Sequence, residues 1–205
     1  VENRLALAGP SYIHGAKRNN KKGAMETYIS MLRGINVGPN NRIAMAALKA
    51  LFEKLKYEDV RTYIQSGNVI FKTTEDLTHL ELASQIERAI KGKFKLQIPV
   101  VLRTLKEMKK VVSRNPFLRE KGIELDKLHV SFLSENPKRN MVENLSGIEY
   151  PPDRFIISGQ QAYLHCPKTY SDTQFSNQFF EQRLKLKVTT RNWKTVNQLI
   201  LQAES

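Results

Sequence analysis

Two short stretches carry the residue types that bind anions: LRGINVG at Leu32–Gly38 and RTYIQSGNVIF at Arg61–Phe71. Each sets Arg, Asn, Gln or Ser beside glycine at the end of an apolar run, where a strand gives way to a turn. Backbone N–H groups are available at such places. Arg33 offers a planar guanidinium suited to bidentate pairing with phosphate or carboxylate. Gly34 and Gly38 let the main chain approach a ligand closely, and the helix expected from Ala44 or Met45 presents unpaired N–H groups. Near the other end, Arg191–Asn192 precedes the Trp193 helix in the same way, with Asn192 as its N-cap. The expected site is therefore a polar cleft near the domain interface, built from Arg33, Gly34, Asn36, Gly38, Arg61, Tyr63, Gln65, Ser66, Asn68, Arg191 and Asn192. The same residues have routine structural uses. Asn36, Asn68 and Asn192 serve as caps and turn formers, the glycines as turn glycines, and Arg33 and Arg191 as ties between domains through backbone carbonyls.

Other chemistry is sparse. No nucleophile has a base beside it in sequence, so no catalytic residue is assigned. His79, His129 and His165 lack metal-ligand spacing, and His165 and Cys166, adjacent on a strand, point to opposite faces. Neither a metal nor a cofactor is expected. Cys166 is the one cysteine, which excludes an internal disulfide and suits a reducing, cytoplasmic setting. No apolar run approaches the roughly 18 residues a membrane span needs.

The chain of 205 residues carries a formal charge of +13. Residues 1–24 lack a sustained period and precede Met25, which opens a strand pattern; they are expected to be a leader foreign to the native protein. That leader holds Arg4, Lys17, Arg18, Lys21 and Lys22 against Glu2, so the remainder keeps +9. Such a field attracts anionic partners and says nothing about fold.

Periodicity places the elements. Tyr28–Leu32 reads as a strand; Met45, Leu48, Leu51, Phe52 and Leu55 form a helical stripe, with Asn40 or Asn41 as the expected cap. Val60–Gln65 and Val69–Lys72 flank turn chemistry at Ser66–Gly67–Asn68. Thr78 with Glu81 is a capping box opening a helix, and Gln97–Arg103 is the next strand. The order is βαββαβ, that of a ferredoxin-like unit. A second capping box, Thr104 with Glu107, opens a short helix stopped at Asn115–Pro116. The order then repeats: strand Leu128–Leu133, a helix from Pro137 to Leu145, a hairpin over Phe155–Ser158 and Gln161–His165, a helix Thr173–Leu186, and a strand Lys187–Thr190. A last helix carries Trp193, Val196, Leu199, Ile200 and Ala203. The expected fold is α+β: two tandem ferredoxin-like repeats with a linker helix and an extra C-terminal helix. The expected divisions are 1–24 leader, 25–103 first unit, 104–127 linker and 128–205 second unit.

Strand parity sorts Val60, Thr62 and Ile64 to the helix side and Arg61, Tyr63 and Gln65 to the other. If that second face is open, nucleobases could stack on it; if the other repeat covers it, they could not. The hairpins echo one another, with Ser66–Gly67 matched to Ser158–Gly159.

Together MLRGINVG, RTYIQSGNVIF, the NPF at Asn115–Phe117, LHVSFL at Leu128–Leu133 and TTRNWKTVNQL at Thr189–Leu199 resemble the bacterial domain of unknown function (DUF) 1697 family, collinearly from Met25 to Ala203. The resemblance implies two ferredoxin-like repeats and supplies no biochemical activity. Pro39 stands where the family often has a second glycine, which stiffens the loop. Three functions follow as expectations. The first is binding of a phosphate-bearing small molecule or single-stranded nucleic acid. The second is an acylphosphatase-like hydrolase using Arg33 with Asn36 or Asn68. The third is a partner-binding scaffold. No oligomeric state is legible.

Overall fold

The computed structural model describes residues 23–205, so the expected leader lies, but for its last two residues, outside the described residues. The chain runs β1 (Glu26–Leu32), α1 (Met45–Lys54), β2 (Glu58–Tyr63), β3 (Asn68–Thr73), α2 (His79–Phe94), β4 (Val100–Thr104) and α3 (Leu105–Ser113). It continues with β5 (Leu128–Leu133), α4 (Arg139–Glu143), β6 (Arg154–Ser158), β7 (Gln161–His165), α5 (Asn177–Leu184), β8 (Val188–Asn192) and α6 (Trp193–Glu204). The result is a mixed α+β structure with two four-stranded antiparallel sheets, ordered β2-β3-β1-β4 and β6-β7-β5-β8. Among the described residues no helix is long and apolar enough to cross a membrane.

Local chemistry sets most element boundaries as expected. Both capping boxes form: Glu81 N donates to Thr78 and Glu107 N to Thr104, each glutamate answering the cap's own N–H. Asn115 caps the short 3-10 turn Pro116–Arg119 that ends the α3 segment. Two helices differ. The N-cap of α1 is Ala44 with no side-chain bond, because Asn41 adopts a positive φ and donates instead to Gly34 O. Residues 173–176 stay out of α5; Thr173 bonds Phe175 N and Ser176 caps Phe179 N, so two hydroxyl turns replace the expected first turn.

The halves match in register. Leu32 N donates to Gly67 O and Arg33 N to Pro99 O; Leu133 N donates to Gln160 O and Ser134 N to Lys187 O. Leu32 lies opposite Val100, and Leu133 opposite Val188. Counting on, Arg103 falls where Arg191 falls, Thr104 caps α3 where Asn192 caps α6, and the two helices are equivalent. The expected linker helix and extra helix are thus one element occurring twice. The hairpin echo is one residue out, since Gln160, not Gly159, answers Gly67.

Three apolar layers result. Leu48, Phe52, Leu82, Ile86 and Ile90 of α1 and α2 cover one face of the first sheet; Phe179, Phe180 and Leu184 of α5 cover one face of the second. The remaining faces meet each other. Ile29, Met31, Ile70 and Val101 share a buried layer with Val130, Phe132 and Tyr163, joined by Met108 of α3 and Trp193, Val196 and Leu199 of α6. Burying both sheet faces removes a large apolar area from water, worth about 25 cal/mol per Å².

Candidate functional site at the seam

Of the residues singled out in sequence, Ser66, Asn68 and Arg191 meet at this seam, and they do so as a frame. Arg191 is 8% exposed. Its Nε donates to Asn68 Oδ1 (2.6 Å), Nη1 to Thr189 Oγ1 and Thr190 O (both 2.9 Å), and Nη2 to Leu32 O (2.8 Å) and Ser66 O (3.1 Å). All five guanidinium protons are occupied. The carbonyls sit at the end of β1 and in the β2–β3 turn, where the ladder leaves oxygens unpaired. Asn68, itself buried, also donates to Tyr63 O and Ser66 Oγ. Arg191, Ser66 and Asn68 therefore tie the halves together, and neither Arg191 nor Asn68 has a donor left for an anion.

The Arg33–Asn41 loop is likewise committed. Arg33 pairs with Glu181 of α5. Asn36 holds the loop shut, accepting from Ile43 N and donating to Ile43 O and Gln65 O, each at 2.9 Å. Gly34 and Gly38 adopt positive φ on the exposed side, with open space around them. Asn192 caps α6 through Thr195 N (2.7 Å). Arg61 donates to Ser205 Oγ (2.7 Å) and Asp59 Oδ2 (3.1 Å), at a distance in sequence and space from the Arg33 pair. Tyr63 packs against the middle layer and Gln65 is exposed in the turn. The Arg61–Tyr63 face, a stacking platform only if open, is partly covered: Tyr63 packs on the middle layer and Arg61 meets Ser205 of the other half.

Ion pairs cross the seam in matched fashion. Glu87 of α2 accepts Val100 N and both its oxygens meet Lys187 Nζ at 2.7 Å; Glu181 accepts Val188 N and takes Arg33. Each acid fixes its own sheet edge and grips a cation of the other half.

Arg103 was not legible as a site residue, though VVLRT before a helix cap echoes VTTRN before another. It is 2% exposed. Nη1 donates to Leu102 O (2.6 Å) and Nη2 to Leu133 O (2.7 Å) and Gln160 O (2.5 Å). The Nε–H and the second Nη1–H have no protein acceptor among the described residues, and Nε reaches the solvent of the adjoining cleft rather than being buried unpaired, as Arg61 Nε is. Burial lowers the pKa of both arginines to about 10, partly offset by Glu107 near Arg103 and by Tyr170 near Arg191. Both stay charged at neutral pH.

Arg103 lines a cleft of about 310 Å³ between α3 and the β6–β7 turn, with Lys110, Arg114, Glu107, Gly159 and Gln161. Lys110 and Arg114 are exposed and have no acidic partner among the described residues. Glu107 is turned to Thr104 N (2.8 Å) and His79 Nε2 (3.7 Å). The cleft thus joins a buried, partly unpaired guanidinium to two mobile cations, the donor set for a small anion. A larger cavity of about 610 Å³ beside Pro151–Pro152 is lined mainly by Leu145, Ile148, Phe155 and Phe175; its one cation, Arg154, is held by Glu120. Burial also pushes the Cys166 thiol up to about 11, so it is a core residue at neutral pH.

A structure of a conserved bacterial protein from Streptococcus pneumoniae, SP0830, superposes with a TM-score of 0.66 at 21% identity, covering 88% of this chain and 99% of that one. At that identity the likeness concerns fold alone. No curated protein matches the sequence. The family model described as "Protein of unknown function (DUF1697)" matches residues 25–163, well over half the chain. That span takes in the Arg33–Asn41 loop, α3 and the β6–β7 turn, and the chain belongs to the DUF1697 family.

Proposed function

We propose that this protein binds a small phosphate-bearing ligand in the seam cleft between α3 and the β6–β7 turn. The carrying observation is Arg103: a charge buried at 2% exposure, with donors left unpaired, in a cleft that also gathers Lys110 and Arg114. Its remaining N–H groups open on the cleft, and an anion there takes the place of water on them with charge-assisted hydrogen bonds. The frame around it is two tandem ferredoxin-like units, 25–103 followed by α3 and 128–205 ending in α6. The strand orders and matched registers support a duplication. The setting is a reducing bacterial cytoplasm, in keeping with the buried thiol.

The scaffold reading accounts for Arg33, Arg191 and Asn68, which serve the seam. An acylphosphatase-like reaction ranks below both, because the groups it needs are engaged: Arg33 by Glu181, Asn36 by Ile43 and Gln65, Asn68 by Arg191.

Calorimetric titration of the full chain with inorganic phosphate and pyrophosphate tests the proposal. Binding at low salt is expected, weakened about fivefold or more by Arg114→Ala, roughly 1 kcal/mol. Absence of binding, or equal binding by the variant, refutes it.

A further inference from the structure

The face of α3 beside the cleft differs from its counterpart on α6. Lys106, Lys110 and Arg114 recur at every fourth residue, on one stripe and about 6 Å apart along the axis. Arg114 is the C-cap of α3, and the equivalent places, all within the longer α6, hold Lys194, Gln198 and Gln202. Lys106, Lys110 and Arg114 are exposed with no acidic partner among the described residues, while Lys109 meets Glu204 Oε1 at 2.6 Å. Beside α3 lies a second groove of about 600 Å³, lined by Met25, Glu26, Thr27 and Leu105 together with Lys106, Lys109, Lys110 and Ser113. Lys110 borders both spaces, so the cleft and the groove are neighbours on α3.

We infer that the ligand of the seam cleft is one phosphate of a single-stranded nucleic acid, whose backbone continues along the α3 stripe into the second groove. The inference rests on the proposed reading of the cleft and names its ligand. Two features select this class among polyanions. Met25, 47% exposed, and Leu105 set apolar surface among the lysines, which suits a base or sugar and has no use for inorganic polyphosphate. A cleft of about 310 Å³ with a buried arginine accepts a phosphate only from a strand free to bend into it, which a duplex is not.

The test is fluorescence anisotropy of the full chain with a labelled oligothymidylate of about 20 nucleotides, run beside the pyrophosphate titration. Affinity for the strand should exceed that for pyrophosphate at least tenfold and fall with salt, by a log–log slope of about 0.7 per phosphate contacted. Lys106→Ala combined with Ser113→Asp lies outside the cleft. It should weaken the strand about tenfold and flatten the slope while leaving pyrophosphate binding unchanged. If pyrophosphate binds and the strand binds no tighter, this inference falls and the cleft reading stands. If neither binds, both fall. Strand binding indifferent to the double variant also overturns it, as does tighter binding of polyphosphate of equal charge.

Discussion

Arg103 and Arg191 occupy equivalent places in the two halves, at the same step of β4 and β8, one residue before a helix cap. Each reaches back to the carbonyl before it and across the seam to a strand end and a hairpin turn. They differ in what stands beside them. Asn68 closes the site around Arg191, and α6 offers Gln198 and Gln202 nearby. Opposite Arg103 the matching residue is Gln161, whose amide turns to Tyr163 OH instead, and α3 offers Lys110 and Arg114. Each arginine ties the halves together, but only around Arg191 is the set of bonds complete.

The largest expected effect separates them directly. Arg191→Ala strands Leu32 O, Ser66 O and Asn68 Oδ1 in the interior and should lower unfolding free energy by about 4 kcal/mol in urea titration. Arg103→Ala, with fewer bonds lost, should cost about 2 kcal/mol and alone abolish pyrophosphate binding. Equal destabilisation with binding retained would erase the distinction drawn between the copies.

The hairpin turns give the next contrast. A Cβ on Gly67, at φ +78°, would sit 2.7 Å from Ile35 Cδ1 and 2.8 Å from Leu32 Cβ, in the buried base of the long loop. Gly159, at φ +61°, has nothing nearer than 3.9 Å. Gly67→Ala should therefore cost about 3 kcal/mol and Gly159→Ala about 1 kcal/mol, the latter from backbone conformation alone. Thermal melting of the two variants compares them, and similar losses would mean the first turn relaxes freely.

How far the sequence carried this follows from what periodicity encodes. Strand order and both capping boxes were legible because each depends on neighbours within a few residues, as Thr78 with Glu81 does. The meeting of Ser66, Asn68 and Arg191 follows the sequence reading, but whether a guanidinium faces solvent or carbonyl oxygen depends on packing across more than a hundred residues. Arg103 was passed over because a lone charge in VVLRT reads as a strand end. Its partners Leu133 and Gln160 come from the other half. The Asn41 cap failed for a local reason: its side chain found Gly34 O first.

Asn68→Ala and Gln161→Ala sharpen the comparison further. Asn68 is buried and joins Arg191, Tyr63 O and Ser66 Oγ, so its loss should cost about 2 kcal/mol. Gln161 makes one bond at 3.5 Å, and its loss should fall within about 0.5 kcal/mol. A large effect at Gln161 would place it in the second frame after all.

The smallest effect concerns the helix-facing side of β5. His129 stands where β1 has Tyr28, stacked on Tyr170 with ring centroids 4.7 Å apart. Burial lowers its pKa below the usual histidine value, against a raising contribution from its bond to Lys127 O. The unfolded chain thus binds the proton more readily. Stability from this group is complete above the unfolded value of about 6.5 and is lost as pH falls through the lower folded value. Melting temperature should drop between about pH 7.5 and about pH 5, and His129→Tyr, which installs the first half's residue, should reduce the drop. Part will persist, because burial and Arg154 also lower the pKa of His165. An unchanged pH profile in the variant would assign the whole dependence to the β6–β7 edge, where His165 lies beside Arg154 and Glu120.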